Sequence, residues 1–119
     1  MAFVFAPDIA PADFPTRGGG MLGLRPSHFY AASSDIAAVE EVLPGYMARY
    51  HSLTLPIAIL YGRGDRLLNH REQGEAMTEK LPALDLELME GGHMLPVSAP
   101  DRCVAMVRRV ADRMKIAQS

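Results

Sequence analysis

Apolar residues recur along this chain with two different periods. A continuous run, Ile57-Ala58-Ile59-Leu60-Tyr61, is opened by Pro56 and closed by Gly62, which predicts a strand buried on both faces. Leu84 to Met89 alternates enough to predict another strand, broken by Gly91-Gly92 just before His93. Between them, Asn69 with Glu72 resembles a capping box and predicts a helix to about Leu81, ended by Pro82. Pro100 and Asp101 suit the first turn of a last helix, in which Cys103/Val104, Val107, Val110/Ala111 and Met114 form one apolar stripe. The order from residue 57 onward is therefore strand, helix, strand, helix, the alternation of parallel strands joined by crossover helices.

Upstream the pattern is less regular. Residues 2 to 6, Ala-Phe-Val-Phe-Ala, form an apolar run stopped by Pro7 and read as a third short strand. Residues 7 to 26 are rich in proline, with Gly18-Gly19-Gly20 as a flexible hinge, and predict an irregular excursion. Ser33, Ser34 and Asp35 supply helix-start chemistry, and Ile36, Val39, Val42/Leu43, Met47 and Tyr50 follow at helical spacing. Pro44-Gly45 is expected to kink or split that helix. Three short strands with two packing helices make a meagre parallel sheet, so the chain reads as part of a larger one.

The bulk properties narrow the field without choosing a function. A chain of 119 residues, 49% hydrophobic and 22% charged, is about one soluble globular domain. Its net charge of -2 and pI near 6.0, with no basic run beyond Arg108-Arg109, predict neither nucleic-acid nor membrane binding. The single cysteine, Cys103, cannot form an internal disulfide and is expected in the core of a chain from a reducing, cytoplasmic compartment. The apolar run at residues 2 to 6 is far too short for a signal sequence or a membrane span.

Candidate chemistry gathers at the ends of the two predicted strands. Asp65 lies four residues past one and His93 four past the next, so both fall in loops at the carboxyl edge, where ligands of open parallel sheets bind. One helix and one strand fill the interval, as a return to the same edge requires. An acid and an imidazole brought together there can act as orienter and general base. Taken singly, they read as an ordinary loop carboxylate and a surface histidine. Arg63-Gly64-Asp65 also spells an adhesion tripeptide, and Gly62-x-Gly64 opens a dinucleotide fingerprint. The first lacks any secretory context, and the second has Leu67 where a third glycine belongs. A metal site from His70, His93 and Asp65 lacks ligand spacing, so no metal and no cofactor are expected.

Leu55 to Asp65, then Leu88-Met-Glu-Gly-Gly-His93-Met-Leu-Pro, then Ala99-Pro-Asp before a helix, resemble the carboxyl-terminal third of an α/β-hydrolase. The resemblance covers residues 55 to 111 and implies that Asp65 is the acid and His93 the base of a catalytic triad. It implies a partial α/β-hydrolase fold: residues 1–6 a strand remnant, 7–53 a helical cap, and 54–119 the last two strand-helix units. Met21, Leu22, Phe29, Tyr30 and Met47 would then line an apolar substrate pocket or, more blandly, pack the cap itself.

The nucleophile elbow of that family is absent, because no Gly-x-Ser-x-Gly occurs and no Ser, Cys or Asp stands in a comparable strand-turn-helix setting before the cap. Two triad members without nucleophile or oxyanion donors predict an inactive chain in isolation. Two functions follow as expectations. One is the distal part of a serine-type hydrolase of an ester, amide or similar bond in a small-molecule substrate, whose missing nucleophile could also be Cys or Asp. The other is a non-catalytic binding or interaction domain on a decayed hydrolase frame. An uncovered sheet edge further predicts self-association.

Overall fold

The computed structural model describes residues 2–117, which form two compact units: residues 11–52, and residues up to 10 together with 53 onward. In the second of these, a one-turn helix α1 (Ala2–Phe5) precedes the extended sheet region. There follow strand β1 (Ala58–Gly62), a π-helical stretch Arg71–Glu75 running into helix α3 (Ala76–Lys80), and strand β2 (Asp85–Met89). A short helix α4 (Leu95–Ser98) leads into the long helix α5 (Pro100–Ala117). The residue 11–52 unit contributes helix α2 (Pro26–Met47).

β1 and β2 pair in parallel, with Ala58 opposite Asp85 and Gly62 opposite Met89. Residues opposite one another in a parallel pair share a face, so Ile59 and Tyr61 stand with Leu86 and Leu88, while Ala58 and Leu60 stand with Asp85 and Glu87. The π-helical stretch covers the first face. Gly74 is buried there, so close to the Tyr61 ring and Leu86 that a side chain would sit 3.4 Å from Tyr61. Helix α5 covers the other face, held by charge. Arg109 donates from Nε to Asp85 at 2.9 Å and from Nη2 to Glu87 at 2.8 Å, Arg113 reaches Asp85 at 2.8 Å, and Arg102 pairs with Glu87. The hydrogen bond from Arg109, opposed by desolvation and helped by Arg102, holds the Glu87 carboxyl below its ordinary range. Asp85 and Glu87 are thus the polar half of the strand's alternation, facing a helix instead of solvent.

The apolar core is thin. Phe5, Leu81, Leu95 and Met106 are its buried hydrophobic side chains among the described residues. A groove of about 600 Å3 lined by Leu55, Ile57, Met106, Val110 and Met114 stays open beside α5. No third strand joins the sheet among the described residues.

Five expectations are corrected here. Residues 2–5 are helical instead of forming a strand remnant, and the sheet of the described residues has two strands instead of three. A short apolar run carries no period that separates strand from helix, and this one closes a turn in which Ala6 N–H donates to the Phe3 carbonyl at 3.3 Å. Helix α2 begins at Pro26 instead of Ser33, because proline at the first helical position needs no amide partner and has its φ preset. It also runs through Pro44-Gly45 without splitting: these residues lie in its last turn, where Ala48 N–H still reaches the Pro44 carbonyl at 3.0 Å. Gly18-Gly19-Gly20 forms a packed turn instead of a hinge. A Cβ at Gly18 would meet the Phe14 ring at 2.4 Å, and Gly19 has φ +75.

Candidate active site

The two loops that follow β1 and β2 are tied by backbone contact before any side chain enters. Arg63 N–H donates to the Met89 carbonyl at 2.8 Å and Gly64 N–H to the Gly91 carbonyl at 2.9 Å. Gly62 lies where a Cβ would strike the Gly91 and Gly92 carbonyl oxygens at 2.5 and 2.4 Å, so only glycine permits this approach. Gly91 takes φ +144, a conformation open to glycine and strained for other residues, and turns the chain toward His93.

On this frame the Asp65 carboxylate and the His93 imidazole meet across 28 residues, with Asp65 Oδ2 and His93 Nδ1 2.9 Å apart. Oδ1 of Asp65 accepts the amides of Leu67 at 2.8 Å and Leu68 at 3.1 Å, which fixes the carboxylate within its own turn. The Asp65 side chain is 3% exposed and that of His93 35%, so the acid is enclosed and the imidazole reaches solvent. Burial pushes the Asp65 carboxyl upward, but the hydrogen bonds from His93, Leu68 and Leu67 outweigh it and the net shift is downward. An ionised carboxylate only accepts hydrogen bonds, so Nδ1 must carry the proton, and a neutral His93 then presents the lone pair of Nε2. That ring can take up a proton at Nε2 while Asp65 stabilises the resulting imidazolium.

Asp65 and His93 border a cavity of about 210 Å3 whose apolar walls include Leu60, Leu68, Leu95 and Pro96. Tyr61 also borders it; desolvation, with a smaller contribution from the Asp65 charge, raises its phenol above the ordinary value. Its hydroxyl is buried without a hydrogen-bond partner among the described residues. Cys103, expected in the core, is half-buried on the cavity wall. No serine or threonine among the described residues lines the cavity.

The proposed substrate-contacting residues Met21, Leu22, Phe29, Tyr30 and Met47 all belong to the 11–52 unit, and all are exposed there. They lie on or beside a helix without a buried residue, which gives the apolar stripe of α2 no core of its own to pack. Sequence reasoning missed Asp8, whose Oδ2 accepts the Gly92 amide at 2.9 Å, and the arginine ladder on α5. The ladder had a visible trace: Arg102, Arg109 and Arg113 recur at helical spacing opposite alternating acids of β2. Asp8 left no trace, because its partner is a backbone amide far along the chain.

No group of three or more His, Cys, Asp or Glu side chains among the described residues is placed to hold a metal ion. No helix among them is long and apolar enough to cross a membrane. Comparison with family models, curated proteins and solved structures finds no match to this chain.

Proposed function

We propose that this chain is the carboxyl-terminal part of a serine-type α/β-hydrolase, contributing the acid Asp65 and the base His93 to a site that cleaves an ester, amide or similar bond. The observation that carries the reading is the 2.9 Å pair between a 3%-exposed carboxylate and an imidazole at the ends of two adjacent parallel strands. Its chemistry is proton transfer. Nε2 of His93 takes the hydroxyl proton as a nucleophile supplied from outside these residues attacks the substrate carbonyl, and returns it to the leaving group as the carbon–heteroatom bond breaks. Water then adds with the same base, releasing the acid and restoring the hydroxyl. Asp65 holds the tautomer and balances the charge on the ring throughout.

A non-catalytic binding or interaction domain on a decayed hydrolase frame is favoured by one observation, the absence of serine and threonine from the cavity wall among the described residues. The two readings separate on the natural polypeptide that carries these residues, captured with an antibody to this chain and treated with a fluorophosphonate. A serine adduct that disappears in His93→Ala is the expected result. The absence of any adduct on native polypeptide, or an adduct indifferent to His93, overturns the serine-hydrolase reading.

A further inference from the structure

The acid and base loops are braced by a third segment, residues 5–8. Phe5 is the one fully buried large side chain among the described residues, at 1% exposure, and it anchors this segment. The Phe5 and Ala6 carbonyl oxygens come so close to Gly92 that a Cβ there would lie 2.7 and 2.5 Å away. The Pro7 ring approaches Gly64 equally closely, with its Cδ 2.8 Å from where a Cβ would stand. The brace therefore touches the residue immediately before Asp65 and the residue immediately before His93. Asp8 completes it with a carboxylate hydrogen bond to the Gly92 amide, 84 residues distant in sequence.

We propose that Asp8 is a positioning residue for His93. Gly91-Gly92 is the least constrained dipeptide of the loop, since neither residue has a side chain to limit its backbone. The peptide between Gly91 and Gly92 must hold one orientation if the next side chain is to point its Nδ1 at Asp65. A charged acceptor on the Gly92 amide, itself held by the Phe5 anchor, removes that freedom. The structure gives the amide no other acceptor in the loop. Asp8 touches neither substrate nor reacting atom; it acts through the backbone that carries the base. The role rests on the reading of Asp65 and His93 as an acid–base pair.

Nuclear magnetic resonance of the natural polypeptide that carries these residues, and of its Asp8→Ala and Asp8→Asn variants, tests it, following hydrogen exchange at the Gly92 amide and the His93 Nδ1 proton. In Asp8→Ala the Gly92 amide should exchange about tenfold faster or more, the size expected for loss of a charge-assisted bond. The His93 Nδ1 proton should lose its protection with it. Asp8→Asn, whose side-chain oxygen still accepts, should restore most of both, and the Leu86 and Leu88 amides in β2 should keep native protection in each variant. Unchanged Gly92 exchange in a folded Asp8→Ala overturns the proposal, as does loss of His93 protection in Asp8→Asn equal to that across β2. If Asp8→Ala does not fold, the isosteric variant decides: a native Nδ1 signal with a protected Gly92 amide supports the role, and loss of either overturns it. A native protein without a protected Nδ1 proton would instead strike at the acid–base pair itself, and failure of the fluorophosphonate test would leave the Gly92 result standing.

Discussion

Replacing Asp65 by asparagine changes one atom of the site and should invert its protonation. Oδ1 of the native carboxylate accepts two amides of its own turn, and an asparagine oxygen can keep both, so the loop should hold its shape. The other position becomes an NH2 group facing Nδ1 of His93 at what was a 2.9 Å contact. Two donors cannot share that bond. His93 must turn its lone pair toward the amide, and the neutral ring then carries its proton on Nε2, where the native ring offers a base.

The energetic cost follows from the same contact. The variant loses a charge-assisted hydrogen bond of about 1.5 to 3 kcal/mol and recovers a neutral one of roughly 1 kcal/mol. With His93 partly open to solvent, the net destabilisation should be about 1 kcal/mol. Asp65→Ala, which abandons both amides as well, should cost roughly 2 to 4 kcal/mol. The sign with pH is fixed by the downward shift at Asp65. A depressed folded pKa contributes stability that is complete above the unfolded carboxyl value of about 3.9 and lost as pH falls through the lower folded value. The gap between native protein and Asp65→Asn should therefore close below about pH 4. Urea denaturation across that range measures the gap, and imidazole 15N shifts report the tautomer. A native-like Nδ1–H tautomer in Asp65→Asn, or a stability gap that widens as pH falls below 4, would refute the reasoning.

Other perturbations read other parts of the fold. Gly62→Ala pushes a methyl into two carbonyl oxygens and should cost about 3 kcal/mol or more by calorimetry, whereas Gly45→Ala, with open space around it near the end of α2, should gain up to about 1 kcal/mol. Tyr61→Phe removes a buried hydroxyl that has no partner among the described residues and should leave the protein as stable as before or up to about 1 kcal/mol more so; a loss above that would mean the hydroxyl is satisfied. The bonds from Asp85 N–H to Ile57 and from Arg63 N–H to Met89 direct alternate residues of β1 toward β2, leaving the Ala58 amide on the outer edge. If association runs through that edge, Ala58→Pro should reduce the associated fraction in sedimentation velocity while preserving the β1–β2 ladder; unchanged association would place the contact elsewhere.

The meeting of Asp65 and His93 was legible because it depends on local patterns. A continuous apolar run and an alternating one announced β1 and β2 within two residues of their observed ends, and strand ends fix which loops share an edge. Asp65 and His93 then needed only to follow those strands at similar distances. The last helix was equally legible, since proline and aspartate mark its start. Residues 2–5 were not: a four-residue apolar turn has the same composition whether it pairs with a strand or closes on itself, and the partner that would decide lies elsewhere in the structure.

What stayed hidden is the packing of backbone on backbone. Gly62 and Gly91-Gly92 read in sequence as residues that end strands, and Gly64 as part of the short motifs around Asp65. In the structure Gly62, Gly64 and Gly92 are also places where another segment's carbonyl or proline ring occupies the volume of a side chain. Such a requirement is set by a segment far along the chain, so no local window reveals it. Yet these contacts bring the two loops close enough for a 2.9 Å side-chain bond, and they do so without a large apolar core, since few side chains in this unit are buried. The precision of the pair therefore comes from close glycine contacts, the Phe5 anchor and the Asp8 hydrogen bond more than from bulk burial. Substitutions at these glycines should consequently disturb the Asp65–His93 bond more than equally destabilising changes on α2, which contributes no buried side chain.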